Sequence, residues 1–144
     1  MSPLSPLSLT QAQIIIAGAL SAARQKSYLP MGVVVVDMAA QAIAFAREDG
    51  ASALRLDIAH GKAGAAIGMG TNSRALALRA KDLPAFFSTI ASNAQHPFIP
   101  QTGAVLITNA QGDIIGAAGA SGGTGDEDEE IVIAGIAAAG LHHR

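Results

Sequence analysis

The order of the predicted elements is the feature that most limits the fold. A β-branched run at 31–37 precedes an alternating segment at 42–47, and the two predict a β-hairpin. A second pair of strands, 104–108 and 113–118, flanks the turn sequence Asn109-Ala110-Gln111-Gly112, which strongly indicates a hairpin. Because the helical segments form separate blocks and do not alternate with single strands, the order predicts an α+β fold.

The spacing of apolar residues predicts helices around these hairpins. A first helix is expected from about Ser8 to Ser27, with Ile14 and Ile15 on its buried face. A second is expected over 53–69, where glycines 61, 64 and 68 lie near one face and favour close approach of another helix. The remaining helices are predicted at 71–79, 83–93 and 126–140, and 119–125 is predicted to be a glycine-rich loop.

Composition excludes several classes of protein. A length of 144 residues fits one domain, 1–144, and half of the residues are hydrophobic by type, although alanine supplies much of that share. The absence of cysteine excludes disulfide scaffolds, cysteine-ligated metal sites and thiol catalysis. No apolar run reaches the roughly 18 residues of a membrane span, and the basic residues form no stripe, so neither a membrane nor a nucleic acid is expected as a partner. The first residues lack the basic region of a signal peptide, and a cytoplasmic location is expected.

The segment Gly119-Ala120-Ser121-Gly122-Gly123 matches the G-x-S-x-G pattern of a nucleophile elbow. A serine of that type needs an acid and then a histidine later in the chain. Only His142 and His143 follow, at what is expected to be a frayed end. We therefore predict a structural loop, with a ligand-contacting loop as the next alternative and a hydrolase as the least favoured one.

Five consecutive acidic residues, 126–130, begin the last predicted helix, where the helix dipole favours negative charge. The expected role is a solvated helix start. Alternatively, Asp126, Glu127 and Glu130 could hold a hard cation through their oxygens. The same acids would repel a phosphate, which disfavours nucleotide binding at the glycine-rich loop.

Three charged residues are candidates for a ligand site. Arg47 ends the second strand on the row of Phe45, Asp49 lies in the following turn, and Lys62 lies in a helix of small apolar residues. Burial disfavours the charged form of a lysine unless an acid pairs with it. An arginine and a lysine beside one pocket would suit a carboxylate ligand. The rival interpretation is an internal salt bridge from Lys62 to Asp49 or Asp57.

His60 lies in the same helix, two residues before Lys62. Its imidazole could ligate a metal or haem iron, or transfer a proton. The favoured interpretation is a packed or solvent-facing helix histidine.

Three motifs, in the right order, resemble the GlcG/HbpS family. Residues 33–51, VVVVDMAAQAIAFAREDGA, are similar to its pattern V-V-D-x-x-G-x-x-x-A-F-x-R-x-D-G-A. Residues 58–63, IAHGKA, resemble its I-A-x-x-K-A helix. Residues 112–122, GDIIGAAGASG, with Asp128 after them, resemble its G-x-x-x-G-x-x-G-x-S-G…D ending. The resemblance runs from about residue 8 to 140, and the chain departs from the pattern at Ala40, at Ala65, at 102–105 and at the helix glycines 61 and 64.

The resemblance implies a profilin-like fold, in which helices flank a five-stranded antiparallel sheet. It also implies assembly into dimers and larger oligomers, commonly octamers. Some members of the family bind haem, and a related domain forms the C-terminal part of a cobalamin adenosyltransferase. The family pattern includes Asp37, Phe45, Arg47, Asp49, Gly50, Lys62, Gly116, Gly119, Ser121, Gly122 and Asp128 of this sequence.

Together, the residues and the resemblance predict a cytoplasmic homo-oligomer that binds a small ligand, either haem or a small anionic metabolite. His60 is the candidate haem-iron ligand. The alternative is an enzyme of a catabolic pathway that performs isomerase- or lyase-like proton transfer on a small carboxylate or carbonyl compound, with Lys62 or His60 as the base. A purely structural role without a ligand is a third possibility. The predicted ligand-binding residues are Phe45, Arg47, Asp49, Lys62, Ser121 and Gly122.

Overall fold

A computed structural model describes residues 6–144 and shows helices on both faces of a five-stranded antiparallel sheet with strand order β2-β1-β4-β3-β5. This arrangement confirms the predicted α+β fold and agrees with a profilin-like sheet. The helices are α1 (Leu9–Gln25), α2 (Leu54–Met69), α3 (Ser73–Asp82), α4 (Pro84–Asn93) and α5 (Gly125–Ala138). The strands are β1 (Gly32–Val36), β2 (Ala42–Arg47), β3 (Ala104–Thr108), β4 (Ile114–Ser121) and β5 (His142–His143).

The central strand β1 separates two apolar layers. Val33 and Val35 pack in the cluster that contains α1 and α5, whereas Val34 and Val36 pack against α2. Because successive side chains of a strand point to opposite faces, β1 must be apolar throughout, and all of its residues are buried. Helices α2 and α5 therefore lie on opposite faces of the sheet.

The glycines of α2 do not face another helix, and that prediction was wrong. They face the irregular segment 94–103, which crosses the helix at very short range. A Cβ on Gly64 would lie 2.1 Å from the carbonyl oxygen of Pro97, and one on Gly61 would lie 2.5 Å from the Ile99 side chain. The Ile99 amide also donates to the Gly61 carbonyl at 2.9 Å. The close helix–helix contact occurs between α1 and α5, where a Cβ on Gly135 would meet the Ile15 carbonyl oxygen at 2.2 Å.

Three local predictions need correction. Ile14 is 41% exposed, because α1 instead buries Ile15 and Ile16. Residues 119–121 belong to β4 and not to a loop, since they pair with β1 over Gly32–Val34. The C-terminal histidines are not frayed, because β5 pairs with β3.

The turn between β1 and β2 places Ala40 at φ +61°, a left-handed conformation that favours glycine. The GlcG/HbpS pattern has glycine at this position. Asp37 stabilises the turn, since its Oδ1 accepts the amides of Ala39 at 2.8 Å and Gln41 at 3.0 Å. No helix within residues 6–144 is long and apolar enough to cross a membrane.

Candidate functional site

A buried ion pair lies at the end of the sheet where β4 leads into α5. The Lys62 Nζ and the Asp128 Oδ2 are 2.9 Å apart, and the two residues are only 5% and 1% exposed. The pair joins helices that lie on opposite faces of the sheet. The sequence-based alternative of a salt bridge was therefore right about Lys62, but its acid is Asp128 and not Asp49 or Asp57. The partner is 66 residues away along the chain, so local spacing could not reveal it.

The backbone around Lys62 leaves a passage for its side chain. Gly103, just before β3, has φ +139°, and a Cβ there would lie 2.7 Å from the Lys62 Nζ. The ammonium also donates to the carbonyl oxygen of Ala120 at 3.0 Å. A glycine at 103 is therefore required by both the backbone conformation and the space that Lys62 occupies.

The start of α5 fixes the position of Asp128. Thr124 is the N-cap: its hydroxyl accepts the Glu127 amide, and the Glu127 carboxylate accepts the Thr124 amide, which forms a capping box. The Asp128 Oδ1 accepts the Gly123 amide at 2.9 Å. Burial raises the pKa of Asp128 above its ordinary value, although the Lys62 charge and the Gly123 amide act in the opposite direction. A carboxyl with a raised pKa in a cleft wall is typical of functional sites.

Lys62 and Asp128 form part of the wall of an open cleft of about 460 Å³. The guanidinium of Arg55 donates to the Ser121 Oγ across this cleft at 3.3 Å. Arg55 was not among the predicted ligand residues, although it precedes Lys62 by seven residues and so lies on the same side of α2. Most of the lining groups can form hydrogen bonds, and they include Arg55, Gln101, Thr102, Ser121, Thr124 and Asp126.

The acidic run is not simply a solvated helix start. Arg74 forms salt bridges with Asp126 and Glu129, and the charge-assisted contacts raise the pKa of Arg74. Lys26 and Tyr28 contact Glu130, and these contacts lower the pKa of Glu130. The three proposed cation ligands thus have separate partners, since Glu127 caps α5. Within residues 6–144, no group of three or more His, Asp or Glu side chains is placed to hold a metal ion.

The structure brings together only some of the predicted ligand residues. Ser121 and Lys62 line the same cleft, and Gly122 follows Ser121 directly. Arg47 and Asp49 line a different pocket, where the Arg47 guanidinium donates to the Ala51 carbonyl at 2.9 Å. Phe45 is 62% exposed and lines a groove beside α1. Within the described residues, Arg47 and Ser121 thus line separate pockets, although both pair with Gly32 of β1 at the same end of the sheet.

His60 points away from the cleft, towards the β1–β2 turn. Its Nε2 lies 2.9 Å from the Ala40 carbonyl oxygen, and the residue is half-buried. It lies two positions before Lys62, which places the two side chains on different sides of α2.

The cleft and His60 differ in how well they suit haem. Haem iron is normally held by His, Cys, Met or Tyr, and none of these lines the cleft, so the cleft does not fit haem. The imidazole of His60 has a ring nitrogen that can coordinate iron. A metal-binding histidine usually donates its other ring N–H to a carbonyl or carboxylate, as Nε2 can do to Ala40, which leaves Nδ1 with a lone pair.

Comparison with known proteins extends these observations. Residues 7–137 match the sequence model of a family described as haem degrading protein HbpS-like. The chain is a member of the HbpS-like family. This confirms the resemblance read from the three motifs. No curated protein matches this HbpS-like chain in sequence.

Solved structures share the fold of the HbpS-like chain over nearly its whole length. A double mutant of HbpS from Streptomyces reticuli is 27% identical, with a TM-score of 0.81 and coverage of 95% of this chain and 89% of that chain. A PduOC:haem complex is 25% identical, with a TM-score of 0.83 and coverage of 95% and 97%. The ORFY protein of Klebsiella pneumoniae is 21% identical, with a TM-score of 0.83 and coverage of 97% and 94%, and shows likeness of fold alone.

Proposed function

We propose that this HbpS-like chain is a ligand-binding protein and that a small metabolite enters the cleft beside Lys62 and Asp128. The buried ion pair carries the proposal. Removing two charges from water costs several kcal/mol per ion, and a packed apolar pair is often as stable or more stable. Two desolvated charges in the wall of an open cleft are therefore better explained by a ligand than by stability. The Lys62 ammonium has three N–H donors, of which Asp128 and Ala120 use two.

A metabolite screen tests this proposal. Small acids, alcohols and amides are added to the protein, and the rise in melting temperature identifies ligands. Gln101→Trp places a bulky side chain in the cleft, whereas Gln111→Trp places one in the exposed β3–β4 turn. We expect the ligand-induced rise to disappear in the first variant and to persist in the second. An equal rise in both variants would place the ligand outside the cleft.

Haem is the second candidate ligand, and His60 is the residue that would hold its iron. The favouring observations are the free Nδ1 of His60 and the haem-bound PduOC structure of the same fold. When bound, haem supplies redox and ligand-exchange chemistry at its iron. In this chain, the Ala40 carbonyl would orient the imidazole of His60.

A haem titration followed by absorbance tests this second candidate. A Soret shift that saturates near one haem per chain and is lost in His60→Ala would support it. His96→Ala is the matched control, since His96 is also half-buried and lies in the 94–103 segment. A shift that survives in His60→Ala moves the iron ligand elsewhere, and no shift at all removes haem as a ligand.

The enzyme alternative is favoured by one observation, the raised pKa of Asp128 in the cleft wall. This changes the proposed proton carrier from Lys62 or His60 to Asp128, because Lys62 already donates to two acceptors and His60 lies outside the cleft. Loss of the Cα proton of small carbonyl compounds into deuterated buffer can be followed by NMR. Exchange above the buffer rate that disappears in Asp128→Asn would support the alternative, and exchange at the buffer rate would reject it.

We also propose that the chain forms homo-oligomers through the groove between α1 and β2. Leu9 is 55% exposed in this groove, Phe45 is 62% exposed on the β2 edge that borders it, and the outer edge of β2 has no partner strand within the described residues. Light scattering should show a smaller assembly for Phe45→Glu than for Leu78→Glu, which changes an equally exposed residue on α3. An unchanged mass in Phe45→Glu would place the interface elsewhere.

A further inference from the structure

We infer that the metabolite bound in the cleft is a small monocarboxylate and that Arg55 is the residue that recognises its charge. The inference rests on the proposed ligand-binding function and specifies the ligand class. Arg55 is half-buried on α2 and lines the cleft. Its guanidinium contacts no carboxylate within residues 6–144, and its side-chain hydrogen bond there is the one to Ser121.

Among the positively charged residues that the structure describes in the cleft, Arg55 is the one that is free to bind an anionic ligand. Lys62 is held by Asp128, and the Asp126 carboxylate at the cleft mouth is held by Arg74. The acids beside the cleft are therefore engaged, whereas the guanidinium of Arg55 retains free N–H donors. A guanidinium presents these donors in a planar fork that matches the two oxygens of a carboxylate.

Ser121 adds a second polar contact for such a ligand. The residue is 2% exposed, and its Oγ accepts from Arg55. Within the described residues, the hydroxyl hydrogen of Ser121 has no acceptor. A hydroxyl that is buried, lines a cleft and keeps a free proton can donate to an oxygen of the ligand. Arg55 and Ser121 therefore provide donors from α2 and β4 to the same bound group.

The surrounding acids select a single negative charge over two. Asp126, Glu127 and Asp128 lie at or beside the cleft, and their repulsion falls most heavily on a dianion. Above about pH 8, inorganic phosphate is mostly a dianion, whereas a carboxylate carries one negative charge. This predicts weaker binding of inorganic phosphate than of a carboxylate, despite the three acceptor oxygens of phosphate.

The test compares acetate with acetamide, a neutral molecule of nearly the same shape, and with inorganic phosphate. Each probe is titrated at constant ionic strength into ¹⁵N-labelled protein, and the amide signals of Ser121, Gly123 and Gly125 report binding. We expect saturable shifts with acetate, and much smaller ones with acetamide and phosphate. Arg55→Gln should weaken acetate binding roughly tenfold or more, whereas Arg47→Gln, which changes an arginine of another pocket, should leave it unchanged.

The outcomes separate this inference from the proposed function. If acetamide or phosphate binds as tightly as acetate, or if Arg55→Gln binds acetate normally, the monocarboxylate assignment is wrong, while a ligand-binding cleft remains. If the amides of the cleft respond to no probe and to no compound of the metabolite screen, both proposals fail. Arg55→Lys keeps the charge but removes the fork. We therefore expect Arg55→Lys to retain part of the acetate binding. Melting temperatures of Arg55→Lys and Arg55→Gln equal to that of the wild type would exclude unfolding as the cause of their weaker binding.

Discussion

The Lys62–Asp128 pair gives the sharpest test of how this fold is held together. Both residues are almost fully buried, so the removal of one partner leaves the other charge without compensation. Breaking a buried pair in this way costs about 3–5 kcal/mol. For a chain of this length, each kcal/mol lowers the melting temperature by about 3 °C, so Lys62→Met and Asp128→Asn should each melt about 10 °C or more below the wild type.

The double variant Lys62→Met/Asp128→Asn distinguishes the cost of an unpaired buried charge from the simple loss of contacts. Asn at 128 retains an oxygen that can accept the Gly123 amide, and Met at 62 fills much of the lysine passage beside Gly103. With both charges removed, the remaining loss is that of the hydrogen bonds, about 1–3 kcal/mol. The double variant should therefore be more stable than either single variant, and the two effects should deviate from additivity by about 3 kcal/mol or more.

Chemical denaturation gives the free energies of unfolding of the wild type, the two single variants and the double variant. All four are measured at one fixed protein concentration, because assembly would otherwise change the apparent stability. Arg74→Gln is the exposed control: it breaks contacts to Asp126 and Glu129 on the surface and should change stability little. Single variants of the buried pair that lose less than about 1 kcal/mol, with effects that simply add, would refute the reasoning, because the pair would then be solvated.

Three further predictions follow from local geometry and charge. Ala40→Gly should raise the free energy of unfolding by about 0.5–1 kcal/mol, because glycine removes the left-handed strain at φ +61°, whereas Ala39→Gly, beside it, should not; equal effects in thermal melts would contradict this. Gly64→Ala should destabilise by about 1–3 kcal/mol through its clash with the Pro97 carbonyl, and Gly68→Ala should cost less, because its Cβ would come no closer than 3.3 Å to any neighbour, at the His96 ring; a reversed order in urea titrations would contradict it. Because contacts with Lys26 and Tyr28 lower the pKa of Glu130 on folding, this carboxyl should stabilise the fold above its unfolded pKa and lose that contribution as pH falls through its folded pKa; the stability of the wild type should fall relative to Glu130→Gln as pH is lowered across that window in melts at several pH values, and a constant difference would contradict the contact argument.

Much of the fold follows from local sequence patterns. The β-branched run at 33–36 and the turn at 109–112 identified both hairpins, since strand alternation and turn chemistry act over a few residues. The glycines of α2 were misassigned because a glycine stripe shows that something approaches closely without showing what. In this chain it is an irregular segment whose Pro97 carbonyl contacts the helix.

The site was predicted less well, for a physical reason. Lys62 and Ser121 were identified and lie in one cleft, whereas Arg47 and Asp49 lie in another. The decisive acid, Asp128, appeared only as one of five in a run. Its burial depends on where the N-cap Thr124 starts α5 relative to the end of β4, and that is a tertiary relation. Arg55 could have been found from its seven-residue spacing to Lys62 on one helix.

The two edges of the sheet differ in their capacity to add strands. Outside β3, the amides of Ala104 and Leu106 are already bonded to Ser73 and Asn72, and β5 covers the rest of that edge. Within the described residues, the other edge strand, β5, is only two residues long, so β2 offers the one long row of unpaired backbone groups. Two copies that join through β2 in a symmetric way consume both free edges, so growth by strand addition stops at a pair and cannot propagate into a fibre. Any larger assembly of this chain must then be built by side-chain packing between such pairs.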